Sequence, residues 1–324
     1  MQKKSYIILG GAGFIGSHFV DYLLNNEQAA AVTIYDNFSS GREWHYKKHL
    51  DNPFFKVLKG DIKDLETLKK AMDGHDVVIH LASNPDIARA ATEPDIDFWE
   101  GTYLTQNVLE AMRVTSAKTI LYASGSGVYG DLGETEAWEN YGPLIPVSTY
   151  GASKLAGEAL IASYCHMFAL RGRAFRFGIV VGSRQTHGVG FDFAKRLLKD
   201  PSVLNILGDG TQSKSYIHVD DIIRAVLLAF EKEQTIFMVY NVATGDYITV
   251  TEIAELVVEI LGLQNKPPRF VYSGGRKGWK GDVPVVRLNT DRIQKLGWLC
   301  SKKSREALHA SISAMVEEIK GGLI

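Results

Sequence analysis

Apolar positions in the first half of the chain follow two alternating patterns. Short continuous apolar runs, which are typical of buried strands, alternate with segments whose apolar residues recur at helical spacing. This alternation predicts a parallel sheet covered by helices on both faces, a doubly wound Rossmann-type α/β fold. The predicted strands are Ser5–Leu9, Val32–Tyr35, Phe55–Leu58, Asp76–His80, Thr119–Ala123 and Ala174–Phe177, and the predicted helices are Phe14–Asn25, Leu65–Met72, Asp95–Arg113 and Tyr150–Phe168.

The regular pattern ends near residue 178, and shorter mixed elements follow. They comprise a strand at Val203–Leu207 and helices at Phe191–Lys199, Val219–Glu231 and Thr251–Leu261, while Asn265–Pro284 is predicted to be a surface loop because it is rich in Gly, Pro, Lys and Arg. We therefore expect a Rossmann domain at residues 1–178 and a smaller mixed α/β substrate-binding lobe at residues 179–324, packed continuously against it.

Composition narrows the class of protein. The chain has 324 residues, 45% of them hydrophobic, and a formal net charge of −1, so no global field favours nucleic acid or a membrane as partner. The two cysteines, Cys165 and Cys300, belong to no CxxC or Cys/His cluster, and no metal site is predicted. We expect a cytoplasmic enzyme, since the sequence has no signal-peptide pattern and no apolar run of membrane-spanning length.

A glycine loop follows the first predicted strand. Gly10, Gly13 and Gly16 match GxxGxxG between a strand and a helix, where glycine permits a tight turn and close approach of a pyrophosphate to the helix N-terminus. Asp36 ends the second strand, where a carboxylate can bind both ribose hydroxyls and repel a 2′-phosphate. This combination favours NAD over NADP, although Asp36 could also be a solvated turn residue.

Two further strand ends could contact the same dinucleotide. Asp61 and Ile62 follow the third strand and could flank the adenine, although Asp61 could equally cap a helix. Leu81, Ala82 and Ser83 follow the fourth strand, where the chain would pass the nicotinamide ribose.

The candidate acid/base residues are Tyr150 and Lys154. Residues four positions apart share one helix face, so the two side chains should project together. A nearby ammonium and an oxidised nicotinamide both favour the phenolate of a tyrosine, which could then accept a proton from a sugar hydroxyl. By itself the pair could also be a surface helix pair.

A serine-rich segment, Ala123–Gly130, follows the fifth strand. Ser124 or Ser126 could bond the reacting sugar oxygen alongside Tyr150, or the segment could be only a flexible turn.

Several segments together resemble the extended short-chain dehydrogenase/reductases, and among them the UDP-glucose 4-epimerases and related nucleotide-sugar epimerases and dehydratases. They are GGAGFIGSH, the DN pair after the second strand, GVYG, YGASKLAGE and GDGTQSKSYIHVDD. The resemblance implies bound NAD, a nucleotide-diphospho-sugar substrate, C4 epimerisation through a transient ketone, and a homodimer in which two long helices form a four-helix bundle. The residues it implies for NAD are Gly10, Gly13, Phe14, Ile15, Gly16, Asp36, Asn37, Ser40, Asp61, Ile62, Leu81, Ala82, Ser83, Tyr150, Lys154 and Phe177, and those for the sugar nucleotide are Ser126, Asn205, Leu207, Lys214 and Arg276.

The chain departs from the family pattern at several positions. Gly125 stands where the family has Ser or Thr, so the hydroxyl must come from Ser126, which we prefer, or Ser124. The Thr-Asp-Glu triplet of the 4,6-dehydratases is absent, so elimination of water is disfavoured. Ile179 replaces a substrate-binding Asn, and Lys214 replaces a diphosphate-clamping Arg, for which lysine offers charge without a bidentate fork.

Three functions are therefore compared. The first is an NAD-dependent nucleotide-sugar epimerase that inverts C4 of a UDP-hexose through a transient 4-keto intermediate. The second is a sibling reaction such as decarboxylation, net dehydrogenation or reduction, or another epimerisation, and net NADH production would distinguish it. The third is a non-catalytic NAD-binding sensor, which the intact Tyr150 and Lys154 argue against.

Overall fold

The computed structural model describes residues 3–324. The expectation that the chain has no signal peptide also concerns residues 1 and 2, which lie outside this range. These residues form two compact units. The first comprises residues 3–128, Ser148–Arg176 and Ile223–Tyr240, and the second comprises Tyr129–Val147, Phe177–Ile222 and Asn241–Ile324. The chain therefore passes between the units several times. The functional division at residue 178 stays a prediction.

Residues 3–324 contain a seven-stranded sheet that confirms the predicted Rossmann-type fold. The strand order is β11-β6-β5-β4-β1-β2-β3, and β1 lies between β2 and β4, parallel to both. Because the chain winds outward from β1 in both directions, the carboxyl ends of β1 and β4 lie side by side at the point where the winding direction changes. The strands are β1 (Lys4–Leu9), β2 (Ala29–Asp36), β3 (Phe55–Lys59), β4 (Val77–His80), β5 (Thr119–Gly125), β6 (Arg171–Phe177) and, from later in the chain, β11 (Phe237–Val242).

Four helices of the first unit pack on this sheet. They are α1 (Phe14–Asn25), α2 (Leu65–Met72), α3 (Tyr103–Val114) and α4 (Thr149–Phe168). The apolar faces of α2, α3 and α4 bury side chains such as Leu68, Val108 and Ile161 against Ile7 and Ile120 of the sheet. This burial is the main favourable contribution to folding of the unit.

The helix predicted at Asp95–Arg113 forms, but it is not a regular α-helix throughout. A π-helical turn, Phe98–Thr102, precedes α3. Within this turn Gly101 packs against Ser153 of α4, where an added Cβ atom would lie 2.7 Å from the Ser153 hydroxyl oxygen. A regular apolar periodicity does not reveal such a local widening, which is frequent near functional sites.

The second unit is a mixed α/β assembly with its own core. Helices α5, α7 and α9 bury Phe193, Leu256 and Ile312 together with Leu204 of a short strand. The strand β13 lies in the segment predicted to be a loop, where it pairs in parallel with β8, so that prediction is wrong for these four residues. The remaining elements of the chain are β7 (Ile179–Val181), α5 (Val189–Lys199), β8 (Val203–Ile206), β9 (Ser213–Lys214), β10 (Tyr216–His218), α6 (Val219–Lys232), β12 (Ile248–Thr249), α7 (Val250–Ile260), β13 (Arg269–Tyr272), α8 (Asp291–Gln294) and α9 (Ser304–Lys320).

Candidate active site

The glycine loop connects β1 to α1 as the sequence predicts. Gly10 has φ +81°, a conformation that disfavours L side chains, and a Cβ atom there would lie 3.0 Å from the backbone nitrogen of Ala82. A Cβ atom on Gly16 would lie 2.5 Å from the Gly10 carbonyl oxygen. The loop can therefore be this tight only with glycine at both positions. Gly13 is the N-cap of α1, and no side chain caps the amides at this end, where Phe14 and Ile15 begin the helix.

Asp36 ends β2 beside this loop and is buried, with 8% of its surface exposed. One carboxylate oxygen accepts a hydrogen bond from the Ala12 amide at 2.9 Å and the other from the Phe38 amide at 2.8 Å. Burial raises the pKa of Asp36, while these two backbone hydrogen bonds oppose the rise. The carboxylate therefore shapes the loop and places a negative charge next to it.

The residues predicted beside the adenosine lie next to Asp36. The Gly60 amide bonds the Asp36 carbonyl oxygen at 3.0 Å, which brings the end of β3 to the end of β2. Asn37 and Ser40 are exposed, Asp61 is partly exposed and Ile62 is buried. The structure thus brings these predicted residues to one edge of the sheet.

Leu81, Ala82 and Ser83 follow β4 and are partly exposed. The amides of Leu81 and Ala82 both bond the Leu9 carbonyl oxygen at 3.0 Å, which holds the segment against the start of the glycine loop. The Ser83 side chain hydrogen-bonds the phenol of Tyr150. This segment therefore connects the glycine loop to the candidate acid/base residues.

These features fit a dinucleotide such as NAD. The glycine cradle leaves room for close approach of a pyrophosphate, and the uncapped start of α1 offers amide N–H groups and the positive end of the helix dipole. The buried Asp36 carboxylate offers acceptors for ribose hydroxyls and would repel a 2′-phosphate. Each feature belongs to the first unit.

Tyr150 and Lys154 lie in the first turns of α4. Ser148 caps this helix by accepting a hydrogen bond from the Gly151 amide at 3.1 Å. The Lys154 side chain is buried, and its Nζ atom donates to the Ala123 carbonyl oxygen at 2.9 Å. Nζ lies 5.4 Å from the centre of the Tyr150 ring, so both side chains project to the same side of the helix, toward the end of β5.

In the protein without a bound cofactor, burial has the largest effect on the pKa of each of the two side chains. It raises the pKa of Tyr150 to about 12, although the hydrogen bond from Ser83 lowers it. It lowers the pKa of Lys154 to about 8, while the negative charge of Asp97 opposes this shift. The expected stabilisation of a phenolate therefore depends on a positive charge placed next to Tyr150, which an oxidised nicotinamide ring provides.

The two candidate serines have different environments. Ser124 is buried, and its hydroxyl donates a hydrogen bond to Glu158. Glu158 also receives a bidentate interaction from Arg176, with an Nη2–Oε2 distance of 2.6 Å and an Nε–Oε1 distance of 2.9 Å. Ser126 begins a short 3₁₀ turn after β5 and is partly exposed. The arrangement leaves the Ser126 hydroxyl as the one better placed for a substrate.

Sequence reasoning missed Asp97, which precedes the π-helical turn. It is 1% exposed and accepts hydrogen bonds from Asn84 and Thr149. No motif surrounds Asp97, and only the packing of the turn on α4 brings it near Tyr150. The spacing of Glu158, four residues after Lys154, is a weak indication that both side chains lie on the same face of the helix.

The second unit holds four of the five residues predicted to bind the sugar nucleotide, and the fifth, Ser126, belongs to the first unit. Asn205 and Leu207 are exposed at the end of β8, and Arg276 is exposed in the loop after β13. Lys214 forms an ion pair with the buried Asp282, with an Nζ–Oδ1 distance of 2.7 Å. The charge of Lys214 is thus already partly neutralised within this unit. Phe177, predicted at the cofactor, is the buried last residue of β6.

A doubly wound sheet, a glycine cradle with an acidic residue on the next strand, and a tyrosine beside a buried lysine define an NAD-dependent enzyme of the α/β class. Comparison with known proteins specifies the family. Residues 6–243 match the model of the NAD dependent epimerase/dehydratase family, and the chain belongs to this family. NAD is accordingly its cofactor.

Three solved structures illustrate the similarity. A UDP-galactose 4-epimerase is 37% identical, with a TM-score of 0.86 over 97% of this chain and 99% of that chain. The Thermotoga maritima UDP-glucose 4-epimerase with UDP-glucose is 30% identical, with a TM-score of 0.84 over 99% and 100%. The Thermus thermophilus UDP-glucose 4-epimerase complex with NAD is 29% identical, with a TM-score of 0.83 over 96% and 98%.

Among the residues that the structure describes, no helix combines the length and the apolar character that crossing a membrane requires.

Proposed function

We propose that this protein is an NAD-dependent nucleotide-sugar epimerase that inverts C4 of a UDP-hexose through a transient 4-keto sugar. The observation that carries the proposal is the Tyr150/Lys154 pair, held at the carboxyl end of β5 in the same sheet whose strand β1 leads into the glycine cradle. The three similar structures are 4-epimerases of UDP-glucose or UDP-galactose, which supports the same substrate class.

In this mechanism Tyr150 moves the proton of the sugar hydroxyl. NAD, when bound, supplies the reversible hydride acceptor for the sugar carbon and a positive charge beside the phenol. Tyr150 accepts the proton from the C4 hydroxyl as the ketone forms and returns it when the alcohol is restored on the other face. Lys154 provides the ammonium that favours the phenolate.

We assign the hydroxyl that bonds the reacting sugar oxygen to Ser126. Ser124 already donates its hydroxyl hydrogen to Glu158, and moving it would disturb a buried ion pair. Ser126 is not hydrogen-bonded to Glu158, and its side chain is partly exposed.

In the second unit, Asn205, Leu207, Lys214 and Arg276 remain proposed contacts of the sugar nucleotide. Exposed backbone and side-chain groups at the end of β8 suit a nucleobase, and the cationic Lys214 and Arg276 suit a diphosphate. Lys214 would share its charge between the diphosphate and Asp282.

The reaction is tested by incubating the protein with UDP-glucose or UDP-galactose and following the sugar by NMR. We expect each sugar to be converted into a mixture of both C4 epimers, without net formation of NADH. Net NADH would indicate dehydrogenation and loss of water would indicate a dehydratase, while release of carbon dioxide from UDP-glucuronate, assayed in parallel, would indicate decarboxylation. Failure to change any UDP-sugar, with NAD bound, would favour the non-catalytic sensor.

Asp36→Ala should weaken NAD binding at least roughly tenfold and reduce the discrimination against NADP, because ribose acceptors and the negative charge are lost. Calorimetric titration of the cofactor-free protein with NAD and NADP would measure both effects. Asp51→Ala, which changes an exposed aspartate of the same unit outside the predicted cofactor residues, is the control and should change the NAD/NADP ratio little. An unchanged ratio in Asp36→Ala would contradict the ribose assignment.

We also propose that the chain forms a homodimer through a four-helix bundle of α3 and α4. The turn before α3 exposes Phe98 and Trp99, 51% and 46% exposed, and α4 exposes Met167 at 70%. Apolar surface of this kind on adjacent helices suits a second copy of the same pair.

Trp99→Glu should convert a dimer of twice the chain mass into a monomer, because it buries a charge at the interface. Light scattering after size exclusion would measure the mass. Leu299→Glu changes a side chain in the second unit that is 74% exposed and should leave the dimer intact. A monomeric wild type would contradict the proposal.

We place the protein in a reducing compartment such as the cytoplasm. Cys165 is a buried cysteine that forms no disulfide, which agrees with a compartment where disulfides do not persist.

A further inference from the structure

Asp97 is a buried carboxylate between two segments that contact Tyr150. Its Oδ1 atom accepts a hydrogen bond from the Asn84 side-chain amide at 2.9 Å, and its Oδ2 atom accepts one from the Thr149 hydroxyl at 2.7 Å. Only 1% of its surface is exposed. Both carboxylate oxygens are thus held in fixed positions.

These two hydrogen bonds connect Asp97 to two segments that adjoin Tyr150. Thr149 is the residue immediately before Tyr150 and begins α4. Asn84 immediately follows Ser83, whose side chain hydrogen-bonds the Tyr150 phenol. The connected residues form a closed ring from Tyr150 through Ser83, Asn84, Asp97 and Thr149. A shift of Asp97 would therefore move both the backbone that carries the phenol and the partner of its hydroxyl.

The negative charge of Asp97 also acts on the acid/base pair. It raises the pKa of Tyr150 and of Lys154, although burial has the larger effect on the pKa of each group. For Lys154 the effect of Asp97 is opposite to that of burial, so Asp97 keeps more of the side chain in the ammonium form.

The other ionisable groups near this pair are neutral or paired. Burial lowers the pKa of His80 to about 3, so its imidazole is neutral. Burial raises the pKa of Tyr122, whose ring centre lies 5.2 Å from Lys154 Nζ, and this phenol stays protonated. Glu158 is ion-paired with Arg176. Asp97 is accordingly the charge that faces both members of the pair.

We propose that Asp97 is a positioning residue for the acid/base pair, which holds the first turn of α4 in register with the Ser83–Asn84 segment and maintains Lys154 as an ammonium. The proposal rests on the function proposed above for Tyr150 and Lys154. It adds a residue outside every motif of the sequence to the machinery of this reaction.

Asp97→Asn removes the negative charge of this side chain and nearly preserves its shape, so the variant tests the electrostatic part of the proposal. Since Asp97 raises the pKa of both partners, its removal should lower both. The acid limb of the kcat/KM profile, which reports ionisation of Tyr150, and the alkaline limb, which reports loss of the Lys154 proton, should both move to lower pH. The near-ultraviolet absorbance of the Tyr150 phenolate in NAD-loaded protein, with Tyr150→Phe as blank, should titrate at lower pH as well.

Thr149→Val is the matched control, because it removes one hydrogen bond to Asp97 and retains the carboxylate. We expect kcat to fall roughly tenfold through loss of positioning, with both pH limbs unchanged and the NAD content of the protein unaltered. If Asp97→Asn lowers activity without moving either limb or the phenolate titration, the electrostatic part is wrong. If Asp97→Asn does not fold, an unchanged kcat in Thr149→Val still overturns the positioning part.

The phenolate titration needs no substrate, so it separates this inference from the proposed reaction. A shifted titration in a protein that epimerises no UDP-sugar would contradict the proposed function and retain the role of Asp97. Epimerisation of a UDP-sugar with an unshifted titration would retain the proposed function and contradict the electrostatic role of Asp97.

Discussion

Tyr150→Phe should lower kcat by about two to four orders of magnitude, the range that general acid/base catalysis contributes. The substitution removes only the hydroxyl that accepts and returns the sugar proton. Rates of interconversion of UDP-glucose and UDP-galactose, followed by NMR, would measure the loss. Because the phenolate is the active form, wild-type kcat should also fall as the pH falls through the pKa of Tyr150 in the NAD-bound protein, and this limb should be absent from the variant.

The variant should keep its cofactor, which distinguishes lost chemistry from lost binding. The glycine cradle and Asp36 are unaffected, and the phenyl ring can occupy the same space beside Lys154. NAD content and unfolding midpoint should therefore match those of the wild type. A variant with nearly normal kcat would show that another group moves the proton, and the assignment of Tyr150 would be abandoned.

Glu158→Gln should destabilise the protein by roughly 3–5 kcal/mol, the usual cost of removing one partner of a buried ion pair. The side chains of Glu158 and Arg176 are only 5% and 4% exposed, and the guanidinium contacts both carboxylate oxygens. The neutral amide has nearly the same shape but provides no charge to offset that of Arg176. It also loses one acceptor for the guanidinium fork. Urea unfolding would measure the change in the free energy of unfolding.

Glu259→Gln is the control for this effect. Glu259 also pairs with an arginine, Arg305, at 2.6 Å, but both side chains are about half exposed. Solvent screens such a pair, so the free energy of unfolding should change little. If the two substitutions cost the same, burial of the Glu158–Arg176 pair does not matter for stability.

Glu158→Gln should also show whether Ser124 takes part in the reaction. Its hydroxyl donates to the Glu158 carboxylate, and the substitution weakens that acceptor. In the folded variant, at a temperature well below its unfolding midpoint, kcat should stay close to that of the wild type if Ser126 bonds the sugar.

Local patterns were sufficient to predict six of the seven strands of the central sheet and the turn that forms the glycine loop. The apolar runs of β1 to β5 and the helical spacing of α1, α2 and α4 each lie within a few consecutive residues, and their alternation leads to one parallel arrangement. The tight turn after β1 itself requires glycine, so the roles of Gly10, Gly13 and Gly16 can be recognised from neighbouring residues alone. Tyr150 and Lys154 share a helix face because of their spacing alone.

What could not be predicted depends on residues that are distant in the sequence. The spacing between Ser124 and Ser126 does not show that one hydroxyl faces a buried Glu158 whereas the other is partly exposed. The strand β13 is only four residues long and lies in a segment otherwise rich in Gly, Pro, Lys and Arg, and its pairing with β8 is not visible from the sequence. Pairing energy of this kind appears only when the chain has folded.

The amino-acid sequence by itself thus determined the fold class, the tight glycine turn and the shared helix face of Tyr150 and Lys154, because each depends on short-range spacing and on residue types with few alternatives. Only the tertiary structure decided which serine is accessible, and it placed Asp97 beside Tyr150 through the π-helical turn at Phe98–Thr102. The physical reason is that burial and electrostatic environment arise from packing between separate segments. The ionisation of Tyr150 and Lys154 therefore depends on neighbours that no local motif specifies.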